Sequence, residues 1–209
     1  MALYQPPLFR APDMAAVDAL LVAYPFATLI TPVAGDEPVI THLPLLWERA
    51  PGTQGALTGH LASANPHARL LTGGPSIAIF HGPHCYVTPS WYTQPEAMVP
   101  TWNYAAVHVH GRIELLGGDE KLSCIDRMIA RFEGGRATPW SRSLYGEELA
   151  AKLRAIVAFR LPVARIDAKF KMSQNRSVED RAGALRGLRA HGGHDEAAVA
   201  DWMQAHVSP

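Results

Sequence analysis

The first half of this 209-residue chain is a succession of short runs rich in β-branched and aromatic residues, separated by turn-forming residues. The predicted strands cover residues 26–31, 39–47 with an interruption at Pro44, 56–61, 76–80, 86–88 and 107–116. Runs of this length with Gly, Pro and Asp between them are typical of strands joined by hairpins. A turn through residues 81–84 is expected to join the fourth and fifth runs. The pattern predicts the start of an antiparallel barrel.

Helical patterns lie at both ends of the chain. The predicted helices cover residues 12–24, 63–71, 119–131, 146–155, 180–189 and 195–205. Asp13 is placed to cap the first helix and Ser177 to cap the first of the C-terminal pair. A further strand is predicted at 156–161, followed after Pro162 by an irregular basic stretch over 165–176. Strands flanked by helices at both ends indicate an α+β domain built around a barrel.

The segment from residue 89 to residue 104 (PSWYTQPEAMVPTWNY) contains three prolines, two tryptophans and two tyrosines. Three prolines in sixteen residues exclude regular structure throughout the segment. Large aromatic side chains at this density are more typical of a binding loop than of a linker, although tryptophans also fill cores and interfaces. The segment is therefore the first candidate for a ligand site.

Composition narrows the function classes. Lys plus Arg and Asp plus Glu number 19 each, so the formal net charge is zero and argues weakly against autonomous DNA binding. The charged fraction of 18% is low and favours burial of apolar surface against a second subunit. Cys85 and Cys124 lie outside any CxxC pattern and are expected to be reduced thiols of a cytoplasmic protein. Neither a signal peptide nor an apolar run long enough to span a membrane is recognised.

Four segments carry a resemblance to a known family. They are THLPLL (41–46), GHLASANP (59–66), YVTPSWY to VPTWNYAAVHVHG (86–111) and KFKMSQNRSVEDRAG (169–183). With these segments the chain resembles the PaiB-type family of FMN-binding negative transcriptional regulators. The resemblance implies a split β-barrel of the FMN-binding type with flanking helices, related to the pyridoxamine-phosphate oxidase architecture. It also implies FMN held between the two subunits of a homodimer, one domain over residues 1–209, and a C-terminal helical segment from about residue 177.

The chemistry of FMN selects candidate residues within these segments. A planar ring, a hydroxylated chain and a phosphate require aromatic walls, hydrogen-bond donors and cationic groups. The predicted cofactor contacts are His42, His60, Ser63, Asn65, Ser90, Trp91, Thr101, Trp102, Asn103, Tyr104, Lys171, Gln174, Asn175 and Arg176. Ser63 stands where the family usually has a basic residue, so Arg69 or Lys171 is expected to neutralise the phosphate instead. The KxSQNR string is interpreted equally well as a solvated basic loop ahead of a helix as it is as a set of cofactor contacts.

Other chemistries remain open at this stage. His108 and His110 alternate on one predicted strand and face the same side, but a third ligand such as His81 or His84 is needed for a metal, so no metal is predicted. The chain contains no GxSxG, HExxH, GxGxxG or Walker-type motif. The alternatives to a flavin-binding regulator are an FMN-dependent oxidoreductase acting on a small molecule and a haem-binding split barrel. No catalytic residue is assigned.

Overall fold

The elements of the fold follow the predicted order of helices and strands. The computed structural model describes residues 3–50, 52–72 and 74–206. The helices are α1 (Met14–Ala23), α2 (Gly118–Glu133), α3 (Leu149–Arg154), α4 (Val178–His191) and α5 (His194–His206). The strands are β1 (Phe26–Thr31), β2 (Val39–Pro44), β3 (Leu46–Glu48), β4 (Ala56–Ala62), β5 (Pro75–Val87), β6 (Thr101–Arg112), β7 (Glu114–Leu116) and β8 (Ile156–Lys171). Short 3₁₀ turns cover Pro7–Phe9, Pro66–Arg69, Pro89–Trp91, Pro95–Ala97 and Arg142–Glu148.

The strands form a single sheet in the order β2-β1-β5-β6-β8-β4-β3, with β7 paired to β8. β1 and β2 are an antiparallel hairpin in which Phe26 lies opposite Pro44 and Thr31 opposite Val39. Pro44 has no N–H to donate, and its place at the end of an edge strand avoids the loss of a ladder hydrogen bond. β4 pairs with β8 over seven residues, from Ala56 opposite Pro162 to Ala62 opposite Ile156.

The described residues pack into two compact units. The first unit comprises the residues up to Tyr24, Phe80–His108, and those from Asp167 onward. The second comprises Pro25–Ile79 and Val109–Ile166. β5, β6 and β8 each contribute residues to both units, so these three strands run through the division.

In the first unit, α1, α4 and α5 bury apolar side chains together with the strand segments of that unit. α1 buries Leu20 and Leu21, and the Asp13 carboxylate accepts a hydrogen bond from Ala16 N at 2.8 Å. Phe170 and Leu188 are also fully buried. The predicted caps of α1 and α4 are both confirmed, since Ser177 Oγ accepts from Asp180 N at 3.1 Å.

In the second unit, the buried side chains come mainly from the sheet. Leu29, Leu57, Phe159 and Leu161 are fully buried. A separate apolar cluster lies where α2 packs on the strands and consists of Leu46, Cys124, Met128 and Ala158, with Leu116 against it. Both cysteines of the chain are buried and free.

Two predicted interruptions turned out to be continuous strand. β5 runs through the expected turn at 81–84, and Gly82 lies so close to α1 that a Cβ there would be 2.8 Å from Leu20 Cδ1. β8 runs through Pro162 to Lys171, so the prediction of an irregular stretch from Arg165 was wrong up to Lys171. Pro162 lies at the end of the β4 pairing, where a missing N–H costs no bond within that ladder.

The remaining elements differ from prediction mainly at their ends. β6 begins at Thr101, six residues before its predicted start, so all of the PTWNY sequence except Pro100 is strand. The helix predicted from residue 63 is a 3₁₀ turn, and the helix predicted from residue 146 is regular only over Leu149–Arg154. No helix among the described residues is long and apolar enough to cross a membrane.

Gly111 provides a test of the packing between β6 and β8. A Cβ at this position would overlap Pro162 O and lie 2.6 Å from Leu161 Cδ2. We expect Gly111→Ala to lower the free energy of unfolding by about 1–3 kcal/mol, the usual cost of overpacking, in urea denaturation. Gly74→Ala is the control, since a Cβ there meets nothing within 4 Å. Equal stability of the two variants would contradict this packing.

Candidate functional site

An exposed aromatic surface lies on β5 and β6 in the first unit, formed by His84, Tyr86 and Trp102. Trp102 is 53% exposed and Tyr86 46% exposed, which is unusual for side chains of this size. The Trp102 ring is stacked on His84 at a centroid distance of 6.3 Å and meets Tyr86 edge-on at 6.5 Å. We call these three residues the aromatic surface. It offers a planar apolar ligand a wall of aromatic rings.

A cationic group adjoins the backbone of Trp102. The Lys171 ammonium donates to the Thr101 hydroxyl and, at 2.7 Å, to the Trp102 carbonyl. Burial lowers the pKa of Lys171, and the positive charges of Lys169 and Arg176 lower it further. The mutual influence of these three cations means that positive charge is concentrated here, a condition that favours an anionic ligand.

Lys169 is held between two aromatic rings. Its side chain is only 6% exposed, and its ammonium lies 5.0 Å from the centroid of Tyr4 and 5.3 Å from that of Tyr104. These are cation–π distances. Tyr104, predicted as a wall of the cofactor site, therefore contacts Lys169 from one side.

Asn103 and Ser173 are bonded to each other inside the first unit. Asn103 is fully buried, and its Nδ2 donates to Ser173 Oγ at 3.0 Å, while that hydroxyl donates back to Asn103 Oδ1 at 3.2 Å. Gln174 folds back on its own strand, accepting from Met172 N at 2.6 Å and donating to Phe170 O at 2.5 Å. These bonds give both predicted contacts a structural role, whereas Asn175 is exposed.

The loop before β6 is attached to α4 by contacts between residues of the 86–111 and 169–183 motifs. Arg176 lies over the Tyr92 ring at 5.0 Å and donates to Met98 Sδ at 2.8 Å. Asp180 accepts from the backbone N–H and the hydroxyl of Thr93 at 2.8 and 2.9 Å. These two hydrogen bonds from Thr93 are the main reason that the pKa of Asp180 is lowered. Arg176 thus anchors the loop.

Trp91 and Ser90 belong to the same anchored loop. A Cβ on Gly187 would lie only 2.2 Å from Trp91 Cδ2 and 2.4 Å from Cε2, so the indole rests directly on α4 at this glycine. Gly183 likewise leaves room for the Trp91 carbonyl. Ser90 is exposed, and its backbone N–H donates to Thr88 Oγ1 at 3.2 Å. Trp91 therefore fastens the loop to α4.

In the second unit, the THLP and ANPH segments meet in a buried hydrogen-bond network around His67. The two ring nitrogens of this fully buried histidine each lie 2.8 Å from a threonine hydroxyl, Nδ1 from Thr41 and Nε2 from Thr31. Asn65 Nδ2 donates to Thr41 Oγ1 at 3.3 Å, and Thr31 Oγ1 lies 2.7 Å from Ser76 Oγ. Burial lowers the pKa of His67, which keeps the ring neutral.

The other predicted contacts of the second unit occupy different environments. His42 is exposed and its Nδ1 lies 3.0 Å from Thr28 Oγ1. Ser63 is exposed. His60 lies under α2, with Nδ1 3.2 Å from Met128 Sδ, and its pKa is lowered first by burial and then by the charge of Lys121. The structure brings Asn65 into the His67 network and gives His60 a partly buried position beside a thioether.

The cysteines and the histidine pair lack the settings that reactive thiols and metal sites need. Burial, reinforced by Glu196 and Asp195, raises the pKa of Cys85 to about 12, so the nucleophilic thiolate is disfavoured. The guanidinium of Arg165 lies 3.1 Å from His110 Nε2. Within residues 3–50, 52–72 and 74–206, no group of three or more His, Cys, Asp and Glu is arranged to hold a metal ion.

The antiparallel sheet and its flanking helices define a split-barrel protein. Solved structures share this fold: the FAD and Heme binding protein from Mycobacterium smegmatis matches with a TM-score of 0.59 and 20% identity, over 88% of this chain and 80% of that chain. The Flavocytochrome Anf3 from Azotobacter vinelandii matches with a TM-score of 0.56 and 20% identity, over 81% and 73% of the two chains. The predicted α+β split-barrel fold is confirmed.

The chain belongs to the FMN-binding family whose model is described as "Putative FMN-binding domain", which matches residues 3–165. It is 31% identical over 205 residues to the Bacillus subtilis protein named Protease synthase and sporulation protein PAI 2, covering 97% of each chain. The resemblance to the PaiB-type family is thereby confirmed, and FMN is the cofactor.

The residues present fit this cofactor. FMN combines a planar apolar ring with a phosphate that carries nearly two negative charges. The aromatic surface provides exposed rings, and Lys171 with its two cationic neighbours provides positive charge in the same unit. Sequence reasoning did not name Tyr86, Lys169, Ser173 or the buried His67 as candidates, and it named His84 only as a possible metal ligand. Because the sequence placed His84 in a turn, only the structure shows that His84 and Tyr86 lie two residues apart on β5 and face the same side.

The neutral state of His67 makes stability depend on pH. Because the folded state lowers the pKa of this histidine, the network contributes stability above about pH 6.5, the ordinary value, and loses it as pH falls through the lower folded value. We expect the urea midpoint to drop between about pH 7.5 and about pH 5. His60 and His206, whose pKa values are also lowered, contribute in the same direction.

The contribution of His67 is isolated by substitution. His67→Gln removes one titrating group, so the decrease in stability on acidification becomes smaller than in the wild type, although the variant is less stable at neutral pH. His42→Gln, at an exposed histidine, is the control for the substitution itself. A wild-type pH dependence in His67→Gln would show that the network does not hold this ring neutral.

Proposed function

We propose that the protein is a homodimeric FMN-binding regulator in which the aromatic surface and Lys171 of the first unit receive the flavin. The observation that carries the proposal is Trp102, a tryptophan more than half exposed, with two further rings beside it and a lysine bonded to its own carbonyl. Exposed aromatic side chains cost free energy in water, and a planar ligand that covers them recovers it.

The ring of FMN suits the aromatic surface because it is flat and largely apolar. Offset stacking of aromatic rings contributes about 0.5–1.5 kcal/mol beyond the burial of apolar area. Trp102 offers its free side to such a ring, since Tyr86 meets it only edge-on, at an interplanar angle of 76°. His84 adds a second ring that is inclined by only 28° to the indole.

Lys171 is proposed to neutralise the phosphate. An ammonium has three N–H donors, and the contacts to Thr101 and to the Trp102 carbonyl use two of them. The third donor, together with the nearby charges of Lys169 and Arg176, suits a dianionic group. The same charges lower the pKa of Lys171, so binding of an anion here relieves repulsion among cations.

A second copy of the chain is proposed to close the site. A strand surface contacts one face of a flat ring and leaves the other face to solvent. The low charged fraction of 18% and the exposure of Trp102 and Tyr86 support burial of this surface in a dimer. Sedimentation velocity or light scattering tests this assembly; a monomer at micromolar concentration in the presence of FMN would contradict it.

The regulatory role is proposed from the likeness to PAI 2, whose name assigns it to protease synthesis and sporulation. Direct DNA binding is tested by a mobility-shift assay at moderate salt, with the flavin oxidised and reduced. An oxidoreductase would instead bleach its flavin spectrum on anaerobic addition of NADH or NADPH. A haem protein would show a Soret band, and the similar M. smegmatis structure, named for both FAD and haem, makes this measurement necessary.

Trp102→Ala tests the proposed site. We expect the variant to bind FMN about 5- to 150-fold more weakly, since stacking on an aromatic side chain contributes about 1–3 kcal/mol. Flavin fluorescence quenching on titration of the FMN-free protein gives the affinity. Trp140→Ala, at a tryptophan of the second unit that is 36% exposed, is the matched control and should bind FMN normally. Wild-type affinity in Trp102→Ala would remove the aromatic surface as the flavin site.

The lowered pKa of Lys171 predicts the pH dependence of FMN affinity. The positive charge binds the phosphate, so affinity decreases as pH rises through the pKa of Lys171, which lies below the ordinary lysine value of about 10.4. Lys171→Arg, which stays charged at alkaline pH, should lose this decrease, while Lys171→Met should bind weakly at every pH. Identical alkaline profiles in wild type and Lys171→Met would contradict the assignment of Lys171.

A further inference from the structure

Ser173 holds a backbone conformation that its own side chain disfavours. Its φ is 66°, and it is the one non-glycine residue with a positive φ in the part of the chain that the structure describes. A residue with a Cβ is disfavoured in this left-handed region, and a buried serine remains there only where its surroundings fix it. Ser173 is 3% exposed, so these surroundings are protein groups.

Asn103 supplies the fixing contact. The serine hydroxyl and the asparagine amide bond each other in both directions, at 3.0 and 3.2 Å, in a buried setting where an unpaired polar group is costly. Gln174 closes the same turn through Met172 N and Phe170 O. The conformation of Ser173 is therefore fixed by two sets of hydrogen bonds. Asn103 on β6 makes one set, and Gln174, which bonds Met172 N and Phe170 O, makes the other.

The hydrogen bonds from the end of β8 and from Ser173 reach Trp102 and the residues on either side of it along β6. Lys171 is bonded to the hydroxyl of Thr101 and to the Trp102 carbonyl, and Ser173 is bonded to Asn103, the next residue along β6. Because neighbouring residues of a strand face opposite sides, Asn103 points into the core while Trp102 points outward. Hydrogen bonds from one short segment of chain thus reach the carbonyl of Trp102 and the side chains of the residues before and after it.

We propose that Ser173 and Asn103 form a positioning pair that fixes the orientation of the Trp102 indole. The pair acts from the buried side of β6, without contact to the ligand. Its consequence for cofactor affinity rests on the proposed function, whereas its effect on Trp102 does not. The ladder of β8 ends at Lys171, two residues before Ser173.

The test reads Trp102 directly in flavin-free protein. The chain has five tryptophans, so 5-fluorotryptophan labelling gives five ¹⁹F resonances, and Trp102→Phe identifies the one of Trp102. Ser173→Gly removes the hydroxyl but adopts a positive φ without strain, so the fold is retained. We expect the Trp102 resonance to shift or broaden in Ser173→Gly and in Asn103→Ala, while the other four resonances keep their positions.

FMN affinity is the second readout. Loss of the hydroxyl contact should weaken FMN binding by about tenfold in Ser173→Gly, the scale of one buried hydrogen bond. Ser177→Ala is the matched control: it removes a hydroxyl six residues from Lys171 that caps α4 through Asp180 N, and it should leave both the Trp102 resonance and FMN affinity unchanged.

The outcomes separate the two proposals. An unchanged Trp102 resonance in both Ser173→Gly and Asn103→Ala overturns the positioning pair, whatever the affinity. A shifted resonance in these variants but not in Ser177→Ala supports it. If Trp102→Ala binds FMN like the wild type, the proposed flavin site fails, and the resonance of Trp102 still decides whether Ser173 and Asn103 position it.

Discussion

The pairing of β8 with its neighbours is the constraint on which the arrangement of this protein depends. In the second unit, β8 pairs antiparallel with β4 over seven residues and also carries β7. In the first unit, β8 also binds the N-terminal segment, because Ala11 N donates a hydrogen bond to Ala168 O at 3.0 Å. The strand ends at Lys171, directly before the turn at Ser173. The register of β8 therefore decides which β6 residues meet the KMS sequence.

Positive charge in the first unit is arranged around aromatic rings and backbone carbonyls. Lys169 lies between Tyr4 and Tyr104, Lys171 binds the Trp102 carbonyl, and Arg176 lies over Tyr92. Rings and carbonyls stabilise a cation without neutralising its charge. In this way a chain with no net charge concentrates positive charge locally in the first unit.

The residues of the family motifs have two different roles, one in the scaffold and one at the surface. Part of each motif builds the scaffold: Thr41 and Asn65 hydrogen-bond to the buried His67, Trp91 rests on α4 at Gly187, and Asp180 holds Thr93. The remainder, above all Trp102 and Lys171, is presented toward the surface. A motif residue is thus informative about function only when its burial and its partners are known, because a buried hydrogen-bonded group and an exposed ring are equally recognisable in sequence.

Local patterns in the sequence determined the strand β1 to the residue, the caps of α1 and α4, the α+β class and, through the motifs, the FMN-binding family. These features depend on side chains close together along the chain, so periodicity and capping residues reveal them. Tertiary structure alone decided that Gly82 and Pro162 lie within continuous strands, since their tolerance depends on where neighbouring elements pack and where pairing ends. It alone also separated the candidate residues into anchors and exposed groups. Asn103 and Ser173 are seventy residues apart, and no local pattern records a contact that only the alignment of β6 with β8 creates.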